Sequence, residues 1–259
     1  MLIDVHAHLD HDLMILDLDE IIERAKKNGV KAIITNGINK DTNRLSLELA
    51  NKYDIVKAAL GIYPIDALDR ESSDGGFKIE PFDVDAELKF MEENSDKFVA
   101  FGEVGLDLYN GKDIKMQKEV LGKIIKLAIK LDKPIILHSR KAERELMEFL
   151  SEFPGLKPKR VIMHCFSGRK HLIKEAIERG YSFSIPTNIV KSDHFQRLVE
   201  WAPLKQILTE TDAPYLSPYP DERNEPSYVN ETIKKIAEIK EMDETEVMNN
   251  IYMNYQKIF

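Results

Sequence analysis

The 259-residue chain is 43% hydrophobic and 32% charged, enough apolar material for a sizeable core beneath a heavily charged surface and a length that one α/β barrel domain can fill. A net charge of -8 excludes a surface that adheres to nucleic acid nonspecifically, so a polyanionic substrate would need a local basic patch or a metal. No apolar run approaches the ~20 residues that span a membrane, no secretory signal opens the chain, and the single cysteine, Cys165, excludes an intrachain disulfide. We therefore expect a soluble, cytoplasmic protein with no membrane association and no stable protein partner.

In chain order, short β-rich runs alternate with amphipathic helical stretches, the pattern of parallel strands joined by crossover helices. Strands are predicted at residues 2 to 6, 31 to 35, 55 to 60, 98 to 102, 134 to 138, 160 to 164, 181 to 185 and 205 to 209. Between them, Leu18 to Asn28, Asp41 to Lys52, Val84 to Asn94 and Met116 to Lys130 carry apolar residues at helical spacing. In the last of these Leu121, Ile124, Ile125, Ala128 and Ile129 form the expected inward stripe. Asn28-Gly29 and Arg179-Gly180 read as helix stops, and Pro134 opens a strand. Eight such units predict a single α/β domain over 1 to 259, a TIM-type (β/α)8 barrel of parallel strands that tolerates some distortion. Two long connections break the alternation: 66 to 82, containing Ser72-Ser73-Asp74-Gly75-Gly76, and the Pro-rich 213 to 226. The second is expected to serve an active site, and the first reads equally as surface decoration.

Barrel enzymes place their chemistry at the carboxyl ends of the strands, and metal-ligand side chains fall there repeatedly. His6 and His8 are two apart, on one face of an extended strand, where two imidazoles can close on one cation. Glu103, His138 and His164 are expected to end the fourth, fifth and sixth strands, and Asp212 to follow the eighth. Singly, each histidine could be a hydrogen-bonded barrel residue and Asp212 a cap or turn residue. A buried, unpaired Glu103 would be costly, however, and a cation neutralises it. Four imidazoles and two carboxylates exceed the needs of one tetrahedral ion and suit two ions bridged by a carboxylate. His11, His171 and His194 lack this placement and are expected on the surface or helix faces. Cys165 reads as a packing residue rather than a nucleophile.

The segments Asp4-Val5-His6-Ala7-His8-Leu9-Asp10, Gly102-Glu103-Val104-Gly105-Leu106-Asp107, Leu137-His138-Ser139-Arg140, His164-Cys165-Phe166-Ser167-Gly168, Glu210-Thr211-Asp212-Ala213-Pro214-Tyr215-Leu216 and Arg223-Asn224-Glu225-Pro226 resemble, over nearly the whole chain, the TatD-type metal-dependent deoxyribonucleases of the amidohydrolase superfamily. The resemblance implies that His6, His8, Glu103 and Asp212 hold one metal while Glu103, His138 and His164 hold the other. It also implies DNA as substrate, cleaved exonucleolytically. One segment departs from the family: Gly61-Ile62-Tyr63-Pro64 stands where Gly-x-His-Pro is usual, so Tyr63 can donate a hydrogen bond to substrate but cannot act as imidazolium or ligand.

On this reading two divalent ions (Zn, Mn or Mg) activate a water against a phosphodiester, with Asp212 as general base and Glu103 as bridge. Arg223 and Arg140 are candidates to grip phosphate, or else to form rim salt bridges. The alternative enzyme is a metal-dependent hydrolase of carboxylic esters or amides, such as an aminoacyl-tRNA deacylase or amidohydrolase. A metal- or nucleic-acid-binding scaffold without turnover is a third class. The complete ligand set and the acidic charge argue against it.

Overall fold

A computed structural model describes residues 1–65 and 82–259, so the connection expected at 66 to 82 lies, except for Phe82, outside the described residues. Runs of aliphatic residues buried on both faces form eight strands: β1 Leu2–Ala7, β2 Val30–Asn36, β3 Val56–Leu60, β4 Ala100–Asp107, β5 Ile135–Arg140, β6 Val161–His164, β7 Ser182–Ile185 and β8 Ile207–Thr209. They lie in sequence order, each parallel to the next. Just beyond β8, Asp212 N–H donates to His6 O and His8 N–H to Ala213 O, both at 2.8 Å, and an isolated parallel bridge joins Ala7 to Ala213. This seam brings the first strand against the last, giving a nearly closed TIM barrel, as the alternation of the sequence predicts.

The helices on its outside are α1 Asp12–Ile15, α2 Leu18–Lys27, α3 Lys40–Lys52, α4 Val84–Glu93, α5 Ile114–Leu131, α6 Glu143–Leu150, α7 Lys170–Arg179, α8 Asp193–Trp201, α9 Val229–Lys240 and α10 Glu244–Ile258. In α5 the expected stripe is buried at Leu121, Ile124, Ile125 and Ala128, whereas Ile129 is only partly covered. Burying each of these larger aliphatic side chains stabilises the fold by ~1.5–3 kcal/mol. Both helix stops hold: α2 gives way to Gly29 at φ 85° and α7 to Gly180 at φ 81°, left-handed conformations that glycine adopts without a Cβ clash. α10 ties the chain's end to the barrel through Asn254, whose Nδ2 donates to Leu204 O at 2.8 Å and Ile207 O at 2.9 Å. Among the described residues no helix is long and apolar enough to cross a membrane.

Two strand ends differ from the sequence expectation. β4 continues to Asp107 and β5 to Arg140, so Glu103 and His138 lie within strands rather than at their ends. The pairing β4–β5 is irregular between Phe101 and Val104 and resumes with Val104 opposite Leu137, continuing through Gly105 opposite His138 to Asp107 opposite Arg140. A bulge of this kind bends a strand and re-aims a side chain, and here it carries Glu103 into the barrel mouth. Two glycines make room for it. A Cβ on Gly61 would lie 2.4 Å from Glu103 O, and one on Gly105, at φ 155°, would lie 2.0 Å from His138 O.

Candidate metal centre

β1, β4, β5 and β6 and the turn after β8 bring the predicted ligands into one buried cluster. His6 and His8 face each other Nε2 to Nε2 at 3.3 Å. His6 Nε2 lies 3.6 Å from Glu103 Oε2 and 3.5 Å from Asp212 Oδ1, and His8 Nε2 lies 3.3 Å and 3.6 Å from the same two oxygens. Ligands ~2.0–2.2 Å from a tetrahedral cation stand roughly 3.3–3.6 Å apart, so all five separations match the edges of one coordination tetrahedron. The other oxygen of Glu103 faces the opposite way: Oε1 is 2.6 Å from His138 Nδ1 and 3.9 Å from His164 Nε2. His164 Nε2 is also 4.0 Å from Asp212 Oδ1, so this ring stands between the two donor sets. Asp212 takes the left-handed conformation, φ 57°, which Asp tolerates better than most residues.

The far nitrogen of three of the four rings is committed, which aims the near nitrogen inward. His8 Nδ1 donates to Asn36 O at 3.1 Å, which turns its Nε2 toward His6 Nε2; against its burial, Asp212 and Glu103 raise the His8 imidazole well above its usual value, and a cation between the two nitrogens would take the proton's place. His164 Nδ1 donates to Glu210 Oε2 at 2.8 Å. His138 Nε2 lies 3.4 Å from Asp107 Oδ2 and 3.2 Å from the Tyr63 hydroxyl. The fourth ring, His6, stacks on His164 at 3.7 Å, and its Nδ1 is buried with no hydrogen-bond partner.

The electrostatics follow from this packing. Burial opposes charge on His164, but Glu210 overrides it and raises the imidazole to about 9, while Glu210 itself, despite burial, is drawn down to about 2 by His164. Burial and the stacked His164 lower His6. Glu103, although buried, is held well below the usual carboxylate range by His138. Asp107, likewise against its burial, is held at about 2 by His138, the Asn110 N–H and Tyr63. Asp4 is different: burial raises it to about 7 although Thr211 and the His6 N–H donate to it. Burial and Glu210 push the Cys165 thiol up; Sγ donates to Glu210 Oε1 at 3.0 Å, and the thiol is no nucleophile there.

The other predicted residues are placed as follows. The Tyr63 hydroxyl donates to Asp107 Oδ2 at 2.8 Å, so it points at the partner of His138. The Arg223 guanidinium forms a two-pronged pair with Asp17, at 2.7 Å on each side, and donates to Leu13 O. Arg140 is exposed, its guanidinium 3.9 Å over the ring of Tyr109. His11 caps α1 by accepting from Leu13 N–H, His171 pairs with Arg144, and His194 Nε2 lies 3.0 Å from Phe166 O. Sequence reasoning assigned no role to Asp107, Glu210 or Asn36. The first two sit four residues after Glu103 and two before Asp212, inside the motifs themselves. The signal for Glu210 was an acidic residue at the end of an otherwise apolar strand; Asn36 acts through its backbone carbonyl and left none.

A (β/α)8 barrel whose mouth gathers four histidines with Glu and Asp defines a class, the metal-dependent hydrolases of barrel fold. The chain belongs to the TatD family: the family model described as TatD related DNase matches residues 3–259. It is 36% identical to the uncharacterized metal-dependent hydrolase YabD of Bacillus subtilis, over 100% of this chain and 99% of that one. It is 34% identical to the deoxyribonuclease TATDN3 of Homo sapiens, over 100% and 94%. The crystal structure of YJJV, a TatD homolog from Escherichia coli k12, superposes with a TM-score of 0.87 at 27% identity, covering 100% of this chain and 97% of that one.

Proposed function

We propose that this metal-dependent hydrolase cleaves phosphodiester bonds of DNA, exonucleolytically, at a centre of two divalent cations. One observation carries the reading. The two oxygens of Glu103 address two different donor sets, Oε2 toward His6 and His8, Oε1 toward His138 and His164. His6, His8, Glu103 and Asp212 would hold one cation and Glu103, His138 and His164 the other. Bound there, the pair would supply an activated water and neutralise charge on the phosphodiester and its leaving oxygen.

The chain's own groups divide the remaining work. Asp212, less buried than the imidazoles around it, takes the proton of the attacking water. Glu210, Asp107 and the Asn36 carbonyl hold the outer nitrogens of His164, His138 and His8 and so turn their inner nitrogens toward the site, where a bound cation would displace the proton. Arg140, exposed on the rim, would meet a phosphate oxygen. Arg223 would reach one only by leaving Asp17, a partly exposed pair that costs little to break. The deoxyribonuclease name of the human relative and the family description support DNA as the substrate.

The test is protein reconstituted with Mg, Mn or Zn and offered single-stranded DNA, RNA and a panel of aminoacyl esters. Cleavage of DNA that needs metal and disappears in His138→Ala and Asp212→Ala is the expected result. Cleavage of an ester while DNA survives would overturn it.

A further inference from the structure

The barrel rim carries two large rings that the core does not use: Tyr215 is 52% exposed and Tyr109 60% exposed. Tyr215 stands three residues beyond Asp212, edge-on to His8 at 6.4 Å and to His11 at 5.6 Å between ring centroids. Its mount is rigid. Tyr215 N–H donates to Asp212 O at 2.8 Å, and its carbonyl accepts from Asn224 Nδ2 at 2.6 Å. That same buried amide also donates to Thr211 O and Thr187 Oγ1. Tyr109 is fixed in the same manner two residues beyond Asp107, its N–H donating to Asp107 Oδ1 at 2.8 Å, with the Arg140 guanidinium laid over its ring. The strands follow one another around the barrel, so the seam that carries Tyr215 and the β4–β5 edge that carries Tyr109 and Arg140 stand on opposite sides of the mouth. Glu103 and the four imidazoles occupy the mouth between them.

We propose that Tyr215 and the Tyr109–Arg140 stack are two nucleobase subsites that flank the scissile phosphate, one on each side, so that the unit engaged is a dinucleotide with unpaired bases. The inference rests on the deoxyribonuclease reading. Base-on-aromatic stacking is tolerant of sequence because every base presents a π-face, and Arg adds a cation–π contribution. The bases of a duplex already stack on each other, so this arrangement favours a single strand or a frayed end. Rigid mounting matters because no loop has to be ordered when the base arrives.

The experiment uses Mn-loaded protein and short single-stranded oligonucleotides carrying either an ordinary nucleotide or an abasic tetrahydrofuran residue on each side of the cleaved bond. Binding is read separately, by fluorescence anisotropy, on a cleavage-resistant phosphorothioate oligonucleotide. Tyr215→Ala is expected to lower both affinity and kcat/KM by about 5- to 150-fold on the base-bearing strand, the equivalent of ~1–3 kcal/mol per stacked base. The loss should vanish when the residue on one flank is abasic; Tyr109→Ala should show the same dependence on the other flank. Tyr215→Phe, which keeps the ring, should restore the dependence on the base. Equal losses on base-bearing and abasic strands overturn the subsites while leaving the nuclease reading intact. Base-dependent binding through Tyr215 with no cleavage overturns the nuclease reading, and with it the flanking of a scissile phosphate, while leaving base stacking on Tyr215 shown; a protein that neither binds nor cleaves the oligonucleotide overturns both.

Discussion

Removing one hydroxyl, in Tyr63→Phe, separates two roles that the sequence leaves open, contact with substrate and support of a ligand. The Tyr63 O–H donates to Asp107 Oδ2 at 2.8 Å and lies 3.2 Å from His138 Nε2, while His138 Nδ1 faces Glu103 Oε1 at 2.6 Å. Asp107, held at about 2, is ionised at neutral pH, so the lost bond is charge-assisted and such bonds contribute ~1.5–3 kcal/mol. Asp107 is not stranded by the change, because it keeps Tyr109 N–H, Asn110 N–H and Asn110 Nδ2 as donors. The stability loss therefore falls at the low end, ~1–2 kcal/mol, a drop in Tm of roughly 2–8 °C for a protein of this size. Groups that orient a ligand typically contribute 10- to 100-fold in metal affinity. With Asp107 still holding the ring, we expect about a tenfold loss at the cation served by His138 and none at the cation served by His6 and His8. Titration calorimetry with Mn resolves the two steps. If both steps keep their affinity and only KM for DNA rises, Tyr63 touches substrate and the reasoning fails.

Three further predictions concern the His164–Glu210 pair. The folded-state pKa of His164, about 9, lies above its unfolded value near 6.5, so in the metal-free protein its contribution, ~3 kcal/mol, is fully present below pH 6.5 and disappears as pH rises through 9. Metal binding runs the other way, because the proton on Nε2 must leave: affinity should climb about tenfold per unit between pH 7 and 9. Denaturant titrations of metal-free protein and metal titrations at three pH values check both slopes, and parallel slopes would refute them. Glu210→Gln offers a single acceptor to three donors, His164 Nδ1, Cys165 N–H and Cys165 Sγ. It should flatten the pH slope of metal-free stability and weaken metal binding 10- to 100-fold, measurable by competition with a chelator dye.

How much of this was legible in the sequence depends on the kind of signal. The barrel was legible because a buried parallel strand must be apolar on both faces, and eight such runs separated by helical periods leave few alternatives. The candidate ligands were legible as residues of metal-binding type beside apolar runs, although Glu103 and His138 lie within their strands rather than at their ends. Glu103 illustrates the remainder: its place inside β4 depends on the bulge after Phe101 and on the missing Cβ of Gly61 and Gly105, contacts between segments far apart in sequence. Tyr63 and Arg223 were readable as polar groups near the mouth, but the hydroxyl's choice of Asp107 and the guanidinium's choice of Asp17 depend on tertiary proximity. Asn36 was beyond reach, since it serves through a backbone atom that every residue possesses.

The seam between β1 and the segment after β8 holds with few backbone bonds, yet His6 and His8 stand on one side of it and Asp212 on the other. The donor set therefore straddles a thinly bonded join of the cylinder, with residues more than two hundred apart in the chain. A cation shared across that join would act as a clasp on the whole circumference, so the charged state of the mouth and the closure of the barrel wall become a single equilibrium. The first and last strands of this fold are joined at the same point where its chemistry is gathered.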